Sequence, residues 1–194
     1  MGDFFREHAS DIWACDFTVA YDWLFRRFTI FVVMKLHTRQ VVHVAVSDSP
    51  TDRWTALQLR KATPWNQGPK YLIRDRDSKY GPRFSAVAST SGIQELKTPF
   101  RTPKAKAICE RFMGSLRREC LDHTLIFHRR HLQQGVAEYV AYYNHDRPHQ
   151  GIRQQIPDHS DQLQINPSGK IITRLVLGGL HHTYSRVAPL IPSG

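Results

Sequence analysis

Three consecutive stretches, residues 12–19, 24–36 and 39–46, are dense in Val, Ile, Phe and Trp and are separated by only a few residues each. This pattern constrains the fold more than any other feature of the chain. Short apolar runs rich in β-branched and aromatic residues read as strands, and connections too short to hold a crossover helix force neighbouring strands to run antiparallel. Asp22 turns the first strand into the second, His37-Thr38 turns the second into the third, and Asp48-Ser49-Pro50 ends the run. An antiparallel meander is therefore expected.

After residue 50 the pattern changes. Thr51 or Asp52 can cap a helix that runs to about residue 62, where Pro64 and Gly68 close it. A strand is expected over 70–74, a short helix over 82–89, a strand over 92–97, and a long helix over 103–120 that begins with proline at its first turn. A second long helix spans about 131–143 and is broken by Pro148. Strands grouped first and then alternating with helices predict an α/β fold. Its core would be a five-stranded mixed sheet, an antiparallel meander followed by parallel strands, flanked by helices. Residues 1–157 form the expected catalytic unit. Residues 158–194 read as a linker and tail with one strand-like stretch, 171–177.

Composition narrows the function classes. The longest apolar run, 28–34, is far too short to cross a bilayer, and acidic Asp3 and Glu7 replace the basic start of a secretory leader. The three cysteines, Cys15, Cys109 and Cys120, include no CxxC pair, which argues against a cysteine zinc site and for reduced thiols in an intracellular, cytoplasmic protein. The chain of 194 residues carries a formal charge of +10. Residues 70–83 contribute +3 and residues 101–131 contribute +5, so most of the excess lies in 45 residues. Concentrated positive charge attracts a polyanion, and nucleic acid phosphate is its usual partner.

Three acidic residues stand out against this background. Asp16 interrupts an apolar strand, where an ionised carboxylate costs several kcal/mol unless it is paired or bound to a metal. Asp75 follows a four-residue apolar strand, and the carboxyl ends of such strands are where sites gather in open sheets. Glu110 lies mid-helix, about 120° from the centre of the stripe formed by Cys109, Phe112, Leu116 and Cys120. Each has an ordinary alternative: a solvent-facing strand end, a turn residue, and a solvated glutamate paired with Lys106. Together they can supply hard oxygen donors for Mg²⁺ at one sheet edge. Two such ions about 3.5–4 Å apart serve in-line phosphoryl transfer.

Four segments carry a family resemblance: Trp13-Ala14-Cys15-Asp16-Phe17; Leu72 to Tyr80, reading LIRDRDSKY; Thr98 to Phe112, reading TPFRTPKAKAICERF; and Tyr142-Tyr143-Asn144-His145-Asp146-Arg147-Pro148-His149. In this order, with 34 residues between Asp75 and Glu110, the chain resembles the retroviral-integrase-like catalytic core of bacterial insertion-sequence transposases with an Asp, Asp, Glu site. The resemblance implies a ribonuclease-H-like fold, two Mg²⁺ or Mn²⁺ ions, and cutting and joining of DNA ends. It places the catalytic, metal-holding acids on Asp16, Asp75 and Glu110, with Asp16 bridging both ions. A nuclease that only hydrolyses, or a silent DNA-binding remnant, would look similar.

Asp77 stands where many relatives have glycine and is expected to be a loop residue. Lys106 stands where relatives usually have asparagine. Lys79, Lys104, Lys106, Arg117 and Arg118 are the candidate DNA contacts. His145 and His149 are four apart, but Pro148 breaks the helical register between them, and zinc would need further ligands. Only about ten residues precede the first expected strand, so the DNA-end recognition domain usual in such transposases is expected to be missing or supplied by another chain. The expected assembly is a homodimer or higher homo-oligomer acting on element ends and target DNA.

Overall fold

A computed structural model describes residues 8–64, 67–97, 103–158 and 170–186, with the side chains of 103–106 outside the description. The three apolar stretches form β1 (Ile12–Tyr21), β2 (Arg27–Lys35) and β3 (Val41–Ser47). They are followed by α1 (Asp52–Ala62), β4 (Tyr71–Arg74), α2 (Pro82–Thr90), β5 (Gln94–Lys97), α3 (Pro103–Glu119) and α4 (Arg129–His145). The sheet order is β3-β2-β1-β4-β5. β1, β2 and β3 pair antiparallel, whereas β4 lies parallel to both β1 and β5. The expected five-stranded mixed sheet with flanking helices is the observed one.

Strand alternation divides the sheet into two buried faces. One face presents Ile12, Ala14, Ile30, Val32 and Ile73 to Cys109, Phe112 and Leu116 of α3 and to Leu132, Val136 and Tyr139 of α4. The other presents Trp13, Cys15, Phe31 and Leu72 to Leu59 of α1 and Phe84 of α2. Both faces of β2 are therefore covered, which is why its sequence shows no polar alternation.

Polar side chains fix the helices to this frame. The Thr51 hydroxyl accepts from Trp54 N and caps α1. The Asp52 carboxylate accepts from Arg83 N and Phe84 N, both at 2.9 Å, and so caps α2 from the neighbouring helix. A Cβ at position 81 would stand 2.7 Å from Asp52 Cγ, so this close approach requires Gly81. On the outer edge of β3, Asn144 of α4 receives Val41 N and donates to Val41 O, at 2.9 and 2.8 Å, and Gln133 accepts from Val46 N at 2.7 Å. These amide contacts satisfy edge groups that would otherwise recruit another strand.

The tail departs from expectation. Its described residues carry two strands where one was expected, β6 (Ile171–Val176) and β7 (His181–Arg186), paired antiparallel around Gly178-Gly179. The second strand, His-His-Thr-Tyr-Ser-Arg, has no apolar run, and pairing to β6 supplies what its own pattern lacks. No described helix is long and apolar enough to cross a membrane.

Candidate active site

The β1–β4 ladder pairs Ala14 with Ile73. Asp16, within β1, and Asp75, the first residue after β4, lie two residues beyond that pair, so the period of two carries both carboxylates toward the face covered by α3. Both line one small cavity together with Ala14, Cys15, Ile73, Arg74 and Cys109. Its volume is about 10 Å³, close to the least that admits one water-sized particle. Both aspartates are half-buried. Asp16 Oδ1 accepts from Phe17 N at 2.8 Å, and Asp75 Oδ1 accepts from Asp77 N at 3.1 Å, so local backbone donors orient each carboxylate.

Glu110 is one residue beyond Cys109 on α3 and is exposed. Turned about 100° from the wall residue, it is not among the residues lining the cavity. Among the described residues no group of three or more His, Cys, Asp or Glu side chains is close enough to share a metal ion. The pair that is assembled still has the right donor chemistry for a hard divalent cation: two carboxylates at a cavity of ionic size.

Asp77 points elsewhere. It takes Lys79 N at 2.9 Å and forms an ion pair with Lys79 Nζ. Although burial opposes ionisation, the hydrogen bonds and charge of Lys79, with the charge of Arg27, hold its carboxyl below the usual range. Lys79 Nζ also lies 4.7 Å from the Phe17 ring centre. Of the other expected DNA contacts, Arg117 and Arg118 are exposed on α3, and Arg117 donates to Val19 O at 3.2 Å. The side chains of Lys104 and Lys106 and residues 98–102 of the third motif lie outside the described residues.

Sequence reasoning missed Arg74, counting it as part of the basic surface. It is buried, donates from Nε to Glu95 Oε2 at 2.6 Å and from Nη1 to the Asp75 carbonyl at 3.0 Å, and lies 5.2 Å from the Tyr80 ring centre. It thus holds the backbone that presents Asp75. The available signal was an arginine inside a four-residue apolar strand, which needs a partner when buried. Burial pushes the Cys15 thiol and Tyr80 phenol well up. Both stay protonated at neutral pH, which removes them as nucleophiles.

The Tyr142–His149 segment is built into the frame. Arg147 forms two hydrogen bonds to Glu119, at 2.9 and 2.7 Å, and donates from Nη1 to His149 Nδ1 at 3.1 Å. Because arginine only donates, His149 Nδ1 accepts and Nε2 carries the proton given to the Tyr143 carbonyl at 3.1 Å. His145 lies 3.9 Å from Asp158, apart from this network.

Residues 91–157 match the model of the integrase core domain family. This stretch, about a third of the chain, is similar to an integrase core. The chain is 26% identical over 141 residues to the insertion element IS476 uncharacterized 39.2 kDa protein of Xanthomonas euvesicatoria, covering 72% of this chain and 41% of the relative. It is 24% identical over 149 residues to the insertion element IS407 uncharacterized 31.7 kDa protein of Burkholderia multivorans, covering 76% and 54%. The chain thus spans about half the length, or less, of these relatives. Among solved structures, the HTLV-2 integrase catalytic core domain in complex with magnesium, in its dimeric form, superposes with a TM-score of 0.59 at 17% identity, over 77% of this chain and 97% of that one. The chain therefore has the ribonuclease-H-like fold that the resemblance implied.

Proposed function

We propose that this chain is an integrase-type catalytic core, a metal-dependent DNA transferase that cuts a DNA end and joins the freed 3′-hydroxyl to target DNA. The reading is carried by one observation: in a fold shared with integrase catalytic cores, Asp16 and Asp75 leave parallel strands side by side and face one ion-sized cavity under α3. Asp16, Asp75 and Glu110 would hold two Mg²⁺ or Mn²⁺ ions, with Asp16 shared between them. Bound there, such ions polarise the scissile phosphate and make an attacking water or hydroxyl more acidic. The chain's own part is positional. The backbone N–H groups of Phe17 and Asp77 orient the two aspartates, and Arg74 holds the Asp75 backbone. Lys79, Lys104, Lys106, Arg117 and Arg118 would meet DNA phosphates. The magnesium bound by the HTLV-2 core domain and the dimeric form of that domain, with the insertion-element origin of the relatives, support this reading.

The test is a labelled linear duplex taken from the DNA flanking the coding region, incubated with Mg²⁺ or Mn²⁺. Joined products are expected. Cut products alone would reduce the activity to hydrolysis, and neither product with retained DNA binding would mark a silent core. Asp16→Asn, Asp75→Asn and Glu110→Gln should each lower turnover at least about 100-fold, since metal stabilisation of a transition state is worth several kcal/mol. Wild-type turnover in all three would remove the assignment.

A further inference from the structure

A second site lies on another side of α3. Arg111, Ser115 and Arg118 recur at helical spacing along one stripe of that helix, and they line a cleft of about 620 Å³ with Arg39 from the β2–β3 turn and Arg147 and Gln150 from the segment after α4. Four guanidinium groups thus border one open space. Arg147 is neutralised by Glu119. Among the described residues Arg39, Arg111 and Arg118 form no salt bridge to a carboxylate.

The cleft is built, not merely charged. A Cβ at position 151 would stand 1.9 Å from Arg39 Nη2, so the Arg39 guanidinium lies flat against Gly151 in space that any other residue would fill. Arg118 Nη1 similarly lies 3.0 Å from where a Cβ of Gly114 would be. Arg39, Arg153 and Gln154 all adopt left-handed backbone, with φ of 65°, 58° and 63°, a cost that non-glycine residues bear when the surrounding structure imposes it. His149 lies on the cleft lining, and burial lowers its pKa, with the neighbouring charges of Arg147 and Arg39 adding to that, so it adds no charge of its own at neutral pH.

Gathering unneutralised arginines costs Coulomb energy that an anion recovers, and the planar guanidinium fork matches phosphate oxygens. We infer that this cleft binds consecutive backbone phosphates of a DNA segment lying along α3, beside the carboxylate cavity and separate from it. α3 provides a wall to both sites: Cys109 faces the cavity, and Arg111 and Arg118 face the cleft. The inference rests on the reading that this core acts on DNA. It adds where a second stretch of the duplex is held.

The experiment measures duplex DNA affinity of the full chain across salt concentrations for the wild type, for Arg39→Gln/Arg111→Gln/Arg118→Gln, and for a control with Arg53→Gln, Arg60→Gln and Arg83→Gln on the α1–α2 side. Thermal unfolding of each confirms that these surface changes leave the fold intact. Each phosphate contact contributes about 0.9 to the slope of log affinity against log salt. The cleft variant should therefore lose about two to three units of slope and at least about tenfold in affinity, while the control keeps the wild-type slope. Equal losses in the two variants, or an unchanged slope in the cleft variant, would overturn the inference. A parallel titration uses inorganic pyrophosphate alone. Saturable binding lost in the cleft variant, with its DNA slope unchanged, would assign the cleft to a small anion and also overturn it. A wild type that does not bind DNA at all would instead strike at the functional reading.

Discussion

The carboxylate cavity and the arginine cleft share a helix and are built by opposite means. The cavity is small, about 10 Å³, and is made by regular structure: two parallel strands whose ladder brings Asp16 and Asp75 level under α3. The cleft is wide, about 620 Å³, and is made by irregular structure: a turn and a post-helical loop, with left-handed Arg39 and Gln154 on its lining, beside one stripe of α3. Regular hydrogen bonding places like charges close together at a fixed separation, as hard-cation chemistry requires. Loops and long arginines space positive charge more loosely, which suits a polymer of phosphates.

Substitutions can separate the two sites or break them together. The largest effect is expected from Phe112→Ala. Phe112 is buried at the contact of α3 with α4, 4.8 Å from the Tyr143 ring centre. Its loss should cost about 3–5 kcal/mol of stability in denaturant unfolding and abolish both sites at once, because α3 is their common wall. Activity and DNA affinity that fell separately would show that the helix is not shared in this way.

A smaller change should touch only the cleft. Glu119→Gln removes the carboxylate that holds Arg147, and hydrogen bonds to charged groups contribute about 1.5–3 kcal/mol. With the Arg147 and Glu119 side chains 26% and 24% exposed, the lower end of that range is expected. Metal-ion affinity, read by calorimetry, should be unchanged while the salt dependence of DNA binding shifts. A change in metal affinity would mean that the two sites communicate through α3.

The smallest effect is on pH dependence. His43 and His149 both have pKa values lowered chiefly by burial. Below the ordinary value of 6.5 the unfolded chain takes up protons that the folded chain refuses. Stability is therefore complete above that pH and falls as the pH drops through 6.5 toward the lowered folded values. The thermal midpoint should decline from pH 7.5 to about pH 5.5. His149→Gln should flatten that decline, and DNA in the cleft should do the same, since a bound anion offsets the charge of a protonated His149. An undiminished slope in His149→Gln would assign the effect to His43 alone.

Much of the fold was legible because its elements are strongly patterned. The β2 stretch, apolar on both faces, could only be a central strand, and Cys109, Phe112, Leu116 and Cys120 mark the buried stripe of α3 as the helical period requires. β7 was not legible, because a polar strand is stabilised by its partner and not by its own burial. The candidate site was legible in its aspartates, Asp16 inside an apolar strand and Asp75 at the carboxyl end of another. Arg74 and Arg147 were hidden among surface charges, since nothing local distinguishes a buried, paired arginine from a solvated one. Arg39, Arg111 and Arg118 are far apart in sequence, so the cleft exists only when three separate segments are packed together.

The sequence by itself determined that this chain folds as a mixed α/β sheet and that its positive charge is concentrated, and it set Asp16, Asp75 and Glu110 in motifs that resemble those of an integrase core. These follow from periodicity, composition and motif order, which are local properties. Only the tertiary structure decided that Asp16 and Asp75 share a cavity while Glu110 stands outside it, that Asp77 is held by Lys79, and that arginines from three segments border one cleft. Which side chains meet depends on strand register, helix rotation and loop geometry, and long-range packing sets all three.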